Sequence, residues 1–459
     1  MALSQCSMKD RINRFFAGPA YIFILFLLSA AAHLMSLELV AYTVFTLIAV
    51  YICWIGNDFL PATPLLVFSY ILPSARNNPG TNIASIFSGT WFLVLASVVG
   101  ISLLYFFFRN AKTVFYCKRR LIWGMLALCA AYLLSGIGSA AYETVIGKNL
   151  VFATLQCACL VVPYVFLTSG VNWSSVRKDY LAWIGLFAGL LLCLEVIWSY
   201  VTGGVIVDGI INRKHIFTGW GMYNNIGAML SMMIPFAFSL GMHHKKILLG
   251  AMVGFLFVIC TIMTCSRTSL VAAIAMYGVC VVVALTHGQN RKKVALHLTL
   301  MVAVCLLVAV FLQKQLLHLF SEFFAKITDP SSRHILFAEG LKVFKEAPVL
   351  GSSFYSPGYQ PWDFSVIDTF SNFFPPRWHN TIIQLLASCG IAGILAYGFH
   401  RFQTIRLFCR RKGADRLLIA LSILTLLACS LLDCHFFNVG PVLFYSALLA
   451  FLEFSIAEK

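Results

Sequence analysis

Charge is scarce in this chain: only 11% of its 459 residues are Asp, Glu, Lys or Arg, against 60% hydrophobic. A water-soluble protein of this length needs more polar surface, so a soluble enzyme with one large core is excluded. Acid is scarcer still, with 17 Asp+Glu against 33 Lys+Arg and a formal net charge of +16. The 15 cysteines include no Cys-x-x-Cys pair, and none lies in the longest polar stretch. That argues against a disulfide framework and against a zinc site, and leaves the cysteines as small packing residues. No internal repeat or low-complexity tract stands out. What is abundant is long apolar runs, recurring at roughly twenty-residue spacing from one end to the other. They rule out a disordered or fibrous chain and make this an integral membrane protein.

Length and flanking charge mark about fourteen apolar segments, at approximately 21–37, 38–55, 60–74, 91–108, 121–138, 150–170, 181–201, 226–242, 247–265, 270–287, 294–313, 381–401, 417–435 and 439–456. The expected fold is therefore all-α: a polytopic protein of about 12–14 transmembrane helices with one long, partly helical external loop. The third segment is short and opened by Pro61 and Pro64, so a re-entrant path is its other reading. With the amino terminus in the cytoplasm, alternation puts most of the basic residues inside: Lys9, Arg11 and Arg14, the run from Arg109 to Arg120, Arg177 and Lys178, Lys245 and Lys246, Arg291 to Lys293, Arg401 to Arg416, and Lys459. Dropping the third segment would move the Arg109 to Arg120 cluster outside. Both termini are thus expected in the cytoplasm, and the positive excess reflects membrane topology rather than nucleic acid. Arg11 and Arg14 before a run ending Ser29-Ala30-Ala31-Ala32 also resemble a cleavable leader, but the run passes straight into a second apolar segment. Four regions follow: an N-terminal bundle (1–200), helices joined by external Arg-bearing loops (201–313), the external loop (314–380) and the C-terminal helices (381–459).

Once the inner charges are assigned, the outer ones become informative. Arg213 precedes the eighth span, Arg267 sits in the tight turn Cys265-Ser266-Arg267-Thr268-Ser269, and Arg333 and Arg377 lie in the long loop. A single arginine there is also what an interfacial anchor looks like. Arg213, Arg267 and Arg333 together, without counter-charge in the short turn, are what an anionic headgroup requires, since several guanidinium groups can neutralise a diphosphate. Glu195, inside the seventh span, reads as a buried acid paired with a neighbouring helix.

The long loop divides into three. Leu316 to Ile327 has the spacing of a helix lying in the membrane surface. Ser331-Ser332 then caps a second amphipathic helix from Arg333 to Ala347, stopped by Pro348. Gly351 to Asn380, rich in Gly, Pro and aromatics, reads as an ordered lid whose rings could stack on sugars or form an interfacial belt. His379 ends the lid in Pro375-Pro376-Arg377-Trp378-His379-Asn380, and a histidine can accept a proton from a sugar hydroxyl near neutral pH. A structural, hydrogen-bonding histidine is the alternative. His435, in Asp433-Cys434-His435 at another outer turn, is a second candidate for substrate contact.

His379-Asn380-Thr381-Ile382-Ile383-Gln384-Leu385, followed by Cys389-Gly390-Ile391-Ala392-Gly393, resembles the HN…L…GixG signature of the bacterial O-antigen ligase and O-antigen polymerase superfamily. Ser266-Arg267 is similar to its SR turn, Arg333 with Pro348-Val349-Leu350-Gly351 to its R…PllG element, and Gly219-Trp220-Gly221 with Asn225 to its G…N element. The order of these pieces makes the match specific over roughly residues 200–400. Ser353 and Asn224 depart from the pattern, standing where the family often has a glycine and a proline.

The resemblance implies a GT-C-like, inverting, metal-independent and cofactor-free glycosyltransferase of the bacterial plasma membrane. Such an enzyme takes a glycan from a polyprenyl diphosphate on the outer face and passes it to a glycan or lipid-core acceptor. By position, Arg267 and Arg333 would grip diphosphate, Arg213 would assist and His379 would be the base, with Asn225, Arg377, Asn380 and His435 as further substrate contacts. Ligase and polymerase share a donor, and the sequence does not separate them. A polysaccharide flippase would instead show two similar halves and charges within its spans, and a non-catalytic scaffold would leave His379 dispensable.

Overall fold

The computed structural model describes residues 8–56, 58–72, 89–139, 142–202, most of 205–222, 223–287, isolated positions between 292 and 310, 333–354, 378–410 and 414–454. The described residues form sixteen helices: α1 Met8–Phe16, α2 Pro19–Met35, α3 Glu38–Trp54, α4 Ala62–Ile71, α5 Thr90–Arg109, α6 Ala111–Tyr116, α7 Ile122–Leu133, α8 Tyr142–Gly170, α9 Tyr180–Thr202, α10 Tyr223–His243, α11 Ile247–Met263, α12 Arg267–His287, α13 Arg333–Glu346, α14 Thr381–Arg410, α15 Ala414–Ser430 and α16 Val439–Phe454. Six stretches are long and apolar enough to cross a membrane by length and composition, and seven shorter apolar helices accompany them. Together these account for every expected segment except 294–313, which lies mostly outside the described residues. The protein is a polytopic α-helical membrane protein. Two small antiparallel ladders were not foreseen, Ile206–Val207 with Ile210–Ile211 and Phe217–Thr218 with Gly221–Met222, both in the connection between α9 and α10.

Hydrogen bonds between connections sort by end. At the near end, which carries α1, Phe59 donates its N–H to the Gly170 carbonyl, Arg109 caps the carbonyls of Trp54 and Gly56 at the end of α3, and the Arg120 N–H reaches Glu453. At the far end the Tyr200 hydroxyl bonds the Met263 carbonyl, and the Gly136 N–H bonds the Leu350 carbonyl. The short third segment fits this alternation. Tyr21, early in α2, donates to the Pro61 carbonyl, and Tyr42, early in α3, donates to the Ser69 carbonyl, so α4 runs from the near end toward the far end.

Helix α10 is the hub of the second half, buried along nearly its whole length. Gly227 lets it approach the turn between α11 and α12, where an added Cβ would lie 2.8 Å from Ser269 and 2.9 Å from Thr264. Close backbone approach through small residues is how helices associate where lipid supplies no hydrophobic drive. Glu195 of α9 is fully buried and faces His33 of α2 at 3.8 Å, as the expected pairing with a neighbouring helix requires. Most of the thirteen described cysteines are buried.

One assignment changes. Arg401 falls in the expected inner loop, but α14 continues to Arg410 and Arg401 lies within it. Its guanidinium stacks over Tyr397 and Phe436 at 4.5 and 4.6 Å and donates to the Tyr445 hydroxyl at 2.7 Å. The aromatic faces and the phenol oxygen stabilise a cation that the charge count alone assigns to water.

Candidate functional site

The far end gathers residues that are distant in the chain. His379 lies just before α14, and Asp433 lies in the connection between α15 and α16. The imidazole Nδ1 donates to Asp433 Oδ1 at 3.2 Å. The carboxylate is fully employed: Oδ1 also accepts the Cys434 N–H at 2.7 Å, and Oδ2 accepts Asn224 Nδ2 at 2.9 Å. Burial pushes the Asp433 carboxyl up, but the hydrogen bond from His379, the charges of His435 and His379 and the Cys434 N–H outweigh it and hold the group well below the usual carboxylate range. A carboxylate at Nδ1 favours the tautomer that carries its proton there, with the lone pair on Nε2.

Local sequence explains why His379 sits where it does. Asn380 caps α14, its Oδ1 accepting the N–H groups of Ile382 and Ile383, while its Nδ2 donates to the Leu431 carbonyl across the site. His379 takes a left-handed backbone conformation at φ 51°, which a non-glycine residue adopts at a cost of about 1–3 kcal/mol. Trp378, buried against Leu336 and Ala387, anchors the chain on the other side. About two-fifths of the His379 side chain remains exposed, so the ring is held firmly yet reachable.

A second polar cluster adjoins the first. Asn225, in the first turn of α10, accepts hydrogen bonds on Oδ1 from His435 Nδ1 at 2.7 Å and Asn438 Nδ2 at 2.9 Å. Asn224, one residue earlier, joins this cluster to Asp433, so the position that departs from the family pattern holds the carboxylate. The Asn224 carbonyl in turn accepts from the Ser269 hydroxyl at 3.2 Å, and Ser266 Oγ bonds Ser269 Oγ at 2.8 Å. A continuous chain of bonds therefore runs from the Ser266-Arg267 turn through Asn224 to Asp433 and His379. Arg267 is the first residue of α12 and is half-buried. The N-termini of α10, α12 and α14 meet at this end, and helix N-termini favour anions.

The glycine-bearing motifs form one structural unit. Gly390 breaks α14 at φ 62° and ψ −156°, and the freed N–H groups of Ile391 and Ala392 bond the carbonyls of Pro348 and Val349 at 2.9 and 3.1 Å. Gly351, at φ 69°, lies against the Ser388 carbonyl with no room for a Cβ, and the Ser352 N–H bonds the Ala387 carbonyl. Irregular backbone within a membrane bundle persists where its polar groups are paired in this way. Ser353 is fully buried beside this junction.

The structure thus brings together Asn225, Asn380, His379, His435 and the Arg267 turn. Arg333 opens α13, which ends at Glu346 close to the expected stop, and Pro348 follows. Arg213, Arg377, the surface helix 316–327, the Ser331-Ser332 cap and lid residues 355–377 lie outside the described residues. Sequence reasoning missed Asp433 and Asn224. The available signal was an acid in a short turn of a chain with little acid, next to a histidine that had been noted.

Residues 252–398 match the O-antigen ligase family. The match covers the Arg267 turn, Arg333, His379 and both glycine motifs, and stops short of Asp433 and His435. No curated protein matches the chain. Residues 252–398 are thus similar to O-antigen ligases, and the resemblance read from the sequence motifs falls largely within that stretch.

Proposed function

We propose that this protein is an O-antigen ligase-type glycosyltransferase that uses a polyprenyl-diphosphate-linked glycan as donor and works at the far end of the bundle, on the outer face of the bacterial plasma membrane. His379 Nε2 takes the proton of the acceptor hydroxyl while that oxygen forms a bond to the anomeric carbon. The bond from that carbon to the diphosphate breaks on the opposite side, inverting the centre, and polyprenyl diphosphate leaves. The negative charge that develops on the leaving group meets Arg267, Arg333 and Arg213, reinforced by the N-termini of three helices, and needs no divalent cation. Asn225, Asn380, Arg377 and His435 contact the sugars or the diphosphate. The acceptor is the end of a glycan or a lipid core. The reading is supported above all by one observation: His379 Nδ1 is hydrogen-bonded to the buried Asp433 while about two-fifths of the histidine side chain is exposed.

The test is purified protein in liposomes with a polyprenyl-diphosphate oligosaccharide and a candidate acceptor. Transfer or lengthening of glycan should proceed in the presence of a chelator. Replacing Arg267 or Arg333 with Ala should weaken donor binding by about tenfold or more, since a charge-assisted bond contributes roughly 1.5–3 kcal/mol. Movement of the donor across the bilayer with no new glycosidic bond would identify a transporter instead. A topology map that puts loop 314–380 in the cytoplasm would end the outer-face assignment.

A further inference from the structure

The His379–Asp433 pair is built from two separate connections, and a single buried side chain touches both. Gln384, in the first turn of α14, is fully buried. Its Oε1 accepts the Trp378 N–H at 2.9 Å and faces the Cys434 thiol at 3.6 Å. Trp378 immediately precedes His379, and Cys434 immediately follows Asp433. Gln384 Nε2 donates to Ser388 Oγ at 3.0 Å, one turn further along the helix, which fixes which end of the amide faces the two connections.

We infer that Gln384 is a positioning residue for transfer: one amide oxygen sets the register of the His379 connection against the Asp433 connection. The inference rests on the transferase reading above. A left-handed non-glycine residue relaxes unless its flanks are held, and His379 is held at Trp378 by Gln384 and at Asn380 by the Leu431 carbonyl. Removing the acceptor leaves the buried Trp378 N–H without its partner, a cost of about 1–3 kcal/mol that the backbone relieves by moving. The residue that moves is the proposed base. A displacement of about 1 Å in such a group costs on the order of 100-fold in turnover.

The experiment is a double-mutant cycle on the full-length protein in liposomes, with Gln384→Leu, Asp433→Asn and the pair, read as glycan transfer from a polyprenyl-diphosphate oligosaccharide. Gln384→Leu should lower kcat by about 100-fold with the donor KM within about threefold. In the Asp433→Asn background the same change should cost less than about threefold, because the register that Gln384 maintains has already lost its purpose. Losses that multiply, an unchanged kcat, or an effect confined to KM would overturn the inference. If Gln384→Leu does not fold, Ser388→Ala carries the cycle. It keeps the Trp378 bond but frees the amide to rotate, and should cost about tenfold in kcat alone and almost nothing beside Asp433→Asn. Native protein that transfers no glycan would refute the transferase reading itself, before any variant is made.

Discussion

Among the described residues there are two His–Asp pairs, one at each end, with the same spacing. At the far end His379 Nδ1 meets Asp433 at 3.2 Å; at the near end His244 Nε2 meets Asp179 at 3.2 Å. The exposure of the two imidazoles is nearly equal, 39% and 40%. Their surroundings separate them. Asp179 is already satisfied by Arg177, which bonds both carboxylate oxygens at 3.0 and 2.9 Å, and by the Trp183 indole at 3.1 Å. His244 is a peripheral addition to a finished ion pair. Asp433 instead has His379 as its partner in place of an arginine, the rest of its bonds coming from Asn224 and the Cys434 N–H. His379 is gripped on both sides in a left-handed conformation, whereas His244 follows the last turn of α10. Distance and residue type alone do not separate the two pairs; the other partners of the acid, and the constraint on the histidine backbone, do, and they make His379–Asp433 the candidate.

The largest effect should come from the histidines themselves. His379→Ala should lower transfer by about 10³-fold, within the range that general-base catalysis contributes, while His244→Ala should leave it unchanged. Equal losses would erase the distinction. The acids come next. Asp433→Asn, which cannot hold the imidazole as a carboxylate does, should reduce kcat by about 100-fold with donor binding intact. Asp179→Asn should leave kcat alone and lower the melting temperature in detergent.

A smaller and sharper contrast lies in acid. Burial raises the Asp179 carboxyl, but its bonds to Arg177 and Trp183 outweigh that and bring it down to about 2; Asp433 is depressed further. A carboxyl whose folded pKa is lowered stabilises the fold above its unfolded value of about 4 and loses that contribution as pH falls through the folded value. Between about pH 4 and pH 2 the melting temperature should therefore fall more steeply for the native protein than for Asp179→Asn. Asp433→Asn should lose slope as well, but mainly at the acid end of that window. The smallest effect on the chemistry itself is expected of Gly351→Ala, which drives a Cβ into the Ser388–Cys389 backbone at an unfavourable φ. It should lower the melting temperature strongly and reduce transfer only through the fraction folded.

Much of this architecture is legible in the chain itself, because crossing a bilayer requires long apolar stretches with basic residues between them. Alternation of charge even retained the doubtful third segment, which the structure bears out as a buried helix directed from one end to the other. The ladders at 206–222 were not legible, since two-residue strands carry no periodicity. Arg401 was misplaced because hydropathy counts a cation as polar without seeing the three aromatic rings that receive it. The site was half legible. His379, Asn380, Arg267 and the glycines stand in motifs, each within a few residues of chain. Asp433 is more than fifty residues from His379, and its local signal, an acid two residues before His435, does not tie it to that ring. Only packing of α10 and α14 beside the turn after α15 gives it meaning.

Phe354 and Trp378 are both almost fully buried, the first against Tyr132 and Phe437, the second against Leu336 and Ala387. They bracket residues 355–377 like two riveted posts. Each post is held by residues outside 355–377, so its position is set by the helices around it. A chimera exchanging 355–376 should therefore keep the fold, read as an unchanged melting temperature, and a changed acceptor preference in it would assign that choice to the exchanged segment.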